Sequence, residues 1–204
     1  DFRPVWQNST TRAYIIAYMC HMWEMFAARS WMVAFLTFAI TLQADPTPFI
    51  APTTVMAVAG IFGMVASILF GEFAVKFGRR RVVSFVMTIS GLLGICLGFL
   101  ADVPYPVLVC LCIGYTVFFQ GDSAAIHAGV ITSADPDRRG VTMALQSVAG
   151  FATASLSPIA VGFVLDRTGG GNSSISWGLT FGAMAITAFL GLFLLMKTKN
   201  LDNL

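Results

Sequence analysis

Glu24 and Asp122 are where any chemistry in this chain would start, because each carboxylate stands deep inside a long apolar stretch. A charge at bilayer depth costs at least about 2.5–3.5 kcal/mol on insertion scales, so its presence calls for a role. The stretch holding Glu24 also carries His21 and Arg29; the one holding Asp122 carries Gln120, Ser123 and His127. At about 100° per residue, His21 and Glu24 stand about 60° apart on one helix face, and Arg29 falls beyond the edge of that arc. Each carboxylate lies about 12 residues, or about 18 Å, from the inner end of its helix, near the bilayer midplane. Two readings stay open. In one, the groups line a wet path: Glu24 binds a proton or a cationic group, His21 tunes it, and Arg29 pairs with an anion or with Glu24. In the other, Glu24, Arg29 and Asp122 neutralise one another in a structural network. His127, closer to the inner surface, either extends the path or serves in packing.

Ser123 and His127 are four apart on one helix, within hydrogen-bond reach. Serine hydrolysis also needs an orienting acid and an oxyanion hole converging from other elements, and no such set is visible. The chain is therefore expected not to be an enzyme, and no metal or cofactor is expected. Cys20, Cys96, Cys110 and Cys112 all lie inside apolar stretches, fit no disulfide or zinc pattern, and read as small packing residues.

The elements that must hold these residues are six apolar stretches, each long enough to cross a bilayer at about 20 residues per helix. They run over roughly 13–42, 53–70, 82–100, 107–133, 141–165 and 177–196, with a basic loop at 71–81. Hydrophobic residues make up 57% of the 204 and charged ones 11%, with mean hydropathy +0.80. A soluble domain carries about 25% charged residues, so a lipid bilayer is the expected surroundings. Of 12 Lys and Arg, 10 lie in every second gap, one (Arg167) on the other side, and one (Arg29) inside a stretch. Cytoplasmic loops retain positive charge, which puts both chain ends and the Lys76–Arg81 segment in the cytoplasm. The basic residues are thereby assigned to membrane loops, and no nucleic-acid partner is implied. The chain opens on Asp1 rather than Met, which is expected of a trimmed start or of a piece of a longer protein.

Two ridges of small side chains stand out. Ala59, Gly63, Ser67 and Gly71 are spaced four apart on the second stretch, as are Gly150, Ala154, Pro158 and Gly162 on the fifth. Close approach over small residues drives much of helix association in lipid. The ridge on the second helix is expected to meet another half or a second copy. Pro158 is expected to bend the fifth helix by freeing a carbonyl of the preceding turn.

The segment Gly71-Glu72-Phe73-Ala74-Val75-Lys76-Phe77-Gly78-Arg79-Arg80 resembles the Gly-x-Leu-Ala-Asp-Arg-x-Gly-Arg-Arg loop of the major facilitator superfamily. Gly71, Ala74, Lys76, Gly78, Arg79 and Arg80 fit, and Val75 replaces the acidic position. Ser157-Pro158 with Gly162-Phe163-Val164-Leu165-Asp166-Arg167-Thr168-Gly169 looks like the end of a fifth or eleventh helix of that family. The stretch from His21 to Leu36 is similar to the seventh helix of bacterial members. The resemblance implies an all-α, polytopic membrane fold of six transmembrane helices, as two inverted three-helix repeats at about 1–102 and 103–204. It also implies the carboxy-terminal half of a secondary transporter in the cell inner membrane, moving a small-molecule substrate by alternating access, proton-coupled or not. Charged first and fourth helices and ridged second and fifth ones stand where the family has its cavity-lining and half-to-half helices. The alternative is a self-contained six-helix homodimer, acting as transporter or as membrane-embedded interaction module.

Overall fold

The computed structural model describes residues 1–198 and is 84% helical, without strands among the described residues. A short α1 (Arg3–Gln7) leads into α2 (Ser9–Thr41), followed by α3 (Pro52–Phe77), α4 (Arg79–Leu97), α5 (Tyr105–Gly121), α6 (Ser123–Ser133), α7 (Arg139–Arg167) and α8 (Ser174–Lys197). Five segments are long and apolar enough to cross a membrane: α3, α4, α5 with α6, α7 with its leading turn, and α8. The sixth, α2, is 33 residues or about 50 Å long. Arg12, His21, Glu24 and Arg29 keep it from matching the others in apolarity.

Local chemistry sets the ends. The Asn8 side chain caps α2 by accepting from the amides of Thr10 and Thr11, both at 3.1 Å. Prolines open α3 and α5, where a missing N–H costs nothing. Beyond α2, Thr47 donates to Asp45 Oδ1 through both its hydroxyl and its amide, holding that exposed carboxyl below its ordinary range. Gly169, Gly170 and Gly171 all have positive φ (123°, 64° and 78°) and reverse the chain before α8.

Two joints differ from the sequence expectation. The basic segment 71–81 is not a loop: α3 continues to Phe77, α4 starts at Arg79, and Gly78 alone, at φ 92°, makes the break. A helix runs on past its apolar stretch as long as nothing forbids it, and only Gly78 adopts a conformation closed to other residues. The fourth stretch is not one helix either, because it is interrupted at Asp122 between α5 and α6.

In the bundle, α2 lies against α7 and α8, α3 against α5, and α4 against α8 and α5. Two apolar clusters fill it. One gathers Tyr14, Ile15, Val83, Met87, Ile126 and Leu195; the other gathers Phe35, Leu36, Leu108, Phe119, Trp177 and Phe181. Along α2 the first cluster reaches Met22 and the second begins at Ala27, so Glu24 falls between them.

Both small-residue ridges pack inside the chain. A Cβ on Gly63 would come within 2.8 Å of Gln120 Oε1, and one on Gly71 within 3.2 Å of the Ala124 Cβ. Ser67 Oγ accepts from the Ala124 amide at 3.3 Å. The α3 ridge therefore faces α5 and α6, not another half; its exposed side carries Ile61, Phe62, Met64, Val65, Ile68 and Leu69 instead. On α7, Gly150 admits the Tyr18 ring and Gly162 the Trp31 ring. Pro158 sits inside a continuous α7, and the Ala154 carbonyl it frees accepts from Ser157 Oγ at 3.4 Å. The four cysteines divide: Cys20 and Cys112 are buried as expected, whereas Cys96 and Cys110 are exposed on apolar helix faces. A thiol is apolar enough for either place.

Candidate functional site

The polar residues of α2 meet partners from four other helices in the middle of the bundle. Glu24 is buried, and its Oε1 accepts from Ser90 Oγ on α4 at 2.7 Å and from the Tyr115 hydroxyl on α5 at 3.0 Å. One turn away, His21 Nδ1 lies 2.7 Å from Asp122 Oδ1, with both side chains buried. The contact does not meet the geometry of a directed hydrogen bond, and His21 Nε2 meets no hydrogen-bond partner among the described residues. Asp122 reaches this place because it occupies the break between α5 and α6.

Arg29 is the exception. Its Nη2 donates to Gln120 Oε1 at 2.7 Å, while the residue as a whole is exposed. Gln120 itself is buried, in the space that Gly63 leaves open. Towards the basic end, His127 Nδ1 lies 3.0 Å from Gln146 Nε2 on α7. The His127 ring packs on Tyr18 with centroids 4.7 Å apart, and the Tyr18 ring in turn stacks on His21 at 6.1 Å.

Arg29 thus pairs with Gln120 rather than with Glu24, from which five residues, or about 140° of helix rotation, separate it. His21 engages Asp122 rather than Glu24. His127 engages Gln146 rather than Ser123. Mutual neutralisation of Glu24, Arg29 and Asp122 is therefore not what the bundle contains. Ser90, Tyr115, Tyr18 and Gln146 complete the constellation without having been marked by sequence reasoning. Gln146 carried a usable signal, being an amide within an apolar stretch; Ser90 is one hydroxyl among several on its helix and carried none.

At the basic end, Arg79 Nη1 donates to Thr132 Oγ1 at 2.8 Å and Arg80 donates to the Met196 carbonyl, tying the α3–α4 joint to the ends of α6 and α8. Lys76 lies over the Phe77 ring, 5.4 Å from its centroid. Glu72 is exposed and forms no ion pair among the described residues.

One face of α2 stays unpacked. It presents Arg29, Ser30, Ala34, Thr37 and Thr41, all exposed, whereas the open faces of α3 and α8 present large apolar residues such as Ile68, Phe62, Ile186 and Leu190. Small polar residues in such a row suit water better than acyl chains.

No curated protein sequence is significantly similar to the chain. The sequence profile of the Major Facilitator Superfamily matches residues 14–202, from within α2 through α8. With a helical bundle built of membrane-length segments and a polar centre between them, the chain belongs to the Major Facilitator Superfamily, whose members carry small solutes across membranes.

Proposed function

We propose that the chain is the carboxy-terminal six-helix half of a secondary transporter, with α2 and α5–α6 forming its side of the solute path. The observation that carries this reading is the open face of α2, where Arg29, Ser30, Thr37 and Thr41 replace the lipid-facing residues of the other helices. A wall of that kind needs an opposite wall, supplied by an amino-terminal six-helix half or by a second copy. Alternating access then follows from one bundle rocking against the other around the site.

Two repeats, about 1–102 and 103–204, account for the pairing of helices. Exchanging α2, α3 and α4 with α5–α6, α7 and α8 turns the α2–α7 contact into α5–α3, turns α3–α4 into α7–α8, and leaves α4–α8 in place. Three helices per repeat is an odd number, so the two repeats enter the membrane from opposite sides. Basic residues gathered at one end support cytoplasmic termini in the cell inner membrane.

Glu24 and Asp122 are the groups through which a proton gradient would drive uptake. Asp122, His21, Tyr18, His127 and Gln146 run in contact from the centre towards the basic end, a chain of polar groups of the kind proton paths use. Uptake of a panel of small solutes by the full-length protein in vesicles, with and without a proton gradient, tests the reading. Solute accumulation that responds to the gradient is expected. Absence of any carrier-mediated flux across the panel speaks for the homodimeric interaction module, which cross-linking of α2 to α2 across two copies would then reveal.

A further inference from the structure

We propose that Arg29 binds an anion in the solute path, so that the transported solute carries a compact negative group such as a carboxylate or phosphate. This rests on reading the open face of α2 as a wall of that path.

The argument is a balance of charge at bilayer depth. Both carboxylates there are turned inward: Glu24 is closed off by two hydroxyl donors, and Asp122 faces His21. Neither is exposed to a solute passing along α2. Arg29 is exposed, and its one anchoring partner, Gln120, is neutral. Among the described residues no carboxylate stands within ion-pair distance of it. The path wall therefore presents a single uncompensated positive charge.

That charge is also aimed. Gln120 is fixed in the notch left by Gly63, where a Cβ would stand 2.8 Å from Oε1, and it holds one guanidinium nitrogen. The remaining N–H donors of the planar fork meet no hydrogen-bond partner among the described residues, and a guanidinium can take a carboxylate or phosphate in two parallel bonds. Arg29 stands about four residues, or about 6 Å, past the middle of α2, within the hydrocarbon depth of a bilayer on which that helix is centred. Ser30 is its neighbour in sequence and, like Thr37 two turns further on, is exposed and adds a hydroxyl to the open side of α2.

The test needs no knowledge of the solute. In the full-length protein in its membrane, with Cys96 and Cys110 changed to Ser, Ser30→Cys places a thiol next to Arg29. Two methanethiosulfonate reagents of similar size, one carrying a sulfonate and one a trimethylammonium, are applied from either side. With rates normalised to a thiol in solution, the sulfonate is expected to react faster. Arg29→Gln should lower that preference roughly tenfold, the scale on which a charged cleft concentrates its counter-ion, while Arg29→Lys keeps most of it. Thr37→Cys, two turns away, should show a weaker preference even where Arg29→Gln does not assemble. If neither reagent reacts at Ser30→Cys, the face is not wet and the path itself is misplaced. If both react at a normalised ratio that Arg29→Gln leaves unmoved, the path stands and the anion is refuted, as happens if the opposite wall neutralises Arg29.

Discussion

Glu24→Gln keeps the shape of the side chain but removes its charge and its capacity to hold a proton. If that carboxylate couples transport to protons, gradient-driven accumulation should disappear while exchange of solute across the membrane persists. Unchanged accumulation would leave Glu24 a structural residue. Tyr115→Phe and Ser90→Ala separate the two roles further, since each removes one donor to Glu24 Oε1. Removing a partner from a buried polar group costs about 1–3 kcal/mol, so each should lower thermal stability in detergent by that order. Asp122→Asn and His21→Gln should be non-additive, because both act on one 2.7 Å contact. Additive losses in a double-mutant cycle would mean that the contact contributes little. Each of the ionisable residues here was visible in the sequence, since charge within an apolar stretch is conspicuous. Their pairing was not. Helix phase separates Arg29 from Glu24 on α2, but only packing decides that Gln120 of α5 reaches Arg29 and that Tyr115 reaches Glu24.

At the scale of elements, the glycines make the sharpest test. Gly63→Leu drives a large side chain into Gln120 and thereby displaces the anchor of Arg29. Overpacking costs typically about 1–3 kcal/mol. Transport should therefore suffer severely, whereas Val58→Leu, half-buried on the same helix, should change it little. Equal tolerance in an uptake assay would place the α3 ridge elsewhere than against α5. Gly150→Ala and Gly114→Ala form a second pair. A Cβ on Gly150 would fall 2.2 Å from the Tyr18 ring, while one on Gly114 meets nothing within 4 Å. The first should lower the melting temperature; the second should leave it level or raise it, because alanine favours a helix over glycine by about 1 kcal/mol. Small-residue spacing marks where helices can approach closely, yet it does not say which neighbour is met. Glycine, lysine and arginine at 71–81 have the composition of a loop, and only the φ of Gly78 separates the joint from the helices around it.

For the whole molecule, the gathering of Arg79, Arg80, Thr132 and Met196 at one end fixes which ends of the helices are neighbours. With that end in the cytoplasm, a thiol introduced by Thr47→Cys should be labelled by an impermeant reagent only from outside. Labelling only from inside would invert the topology.

The position of α2 has a consequence for how the protein is made. Among the six long helices it is the one without a stretch apolar enough to cross a membrane by itself, and its main supports, α7 and α8, leave the ribosome about a hundred residues later. While α3 is being made, Glu24 has neither Ser90 nor Tyr115 beside it, and Asp122 is not yet there to face His21. The helix that becomes the centre of the bundle is thus, as a nascent chain, the one least able to remain in lipid by itself. In chains truncated after Ala134, α2 should be open to added protease, whereas chains reaching Lys197 should protect it. Late helices then act as the lock that retains an early one.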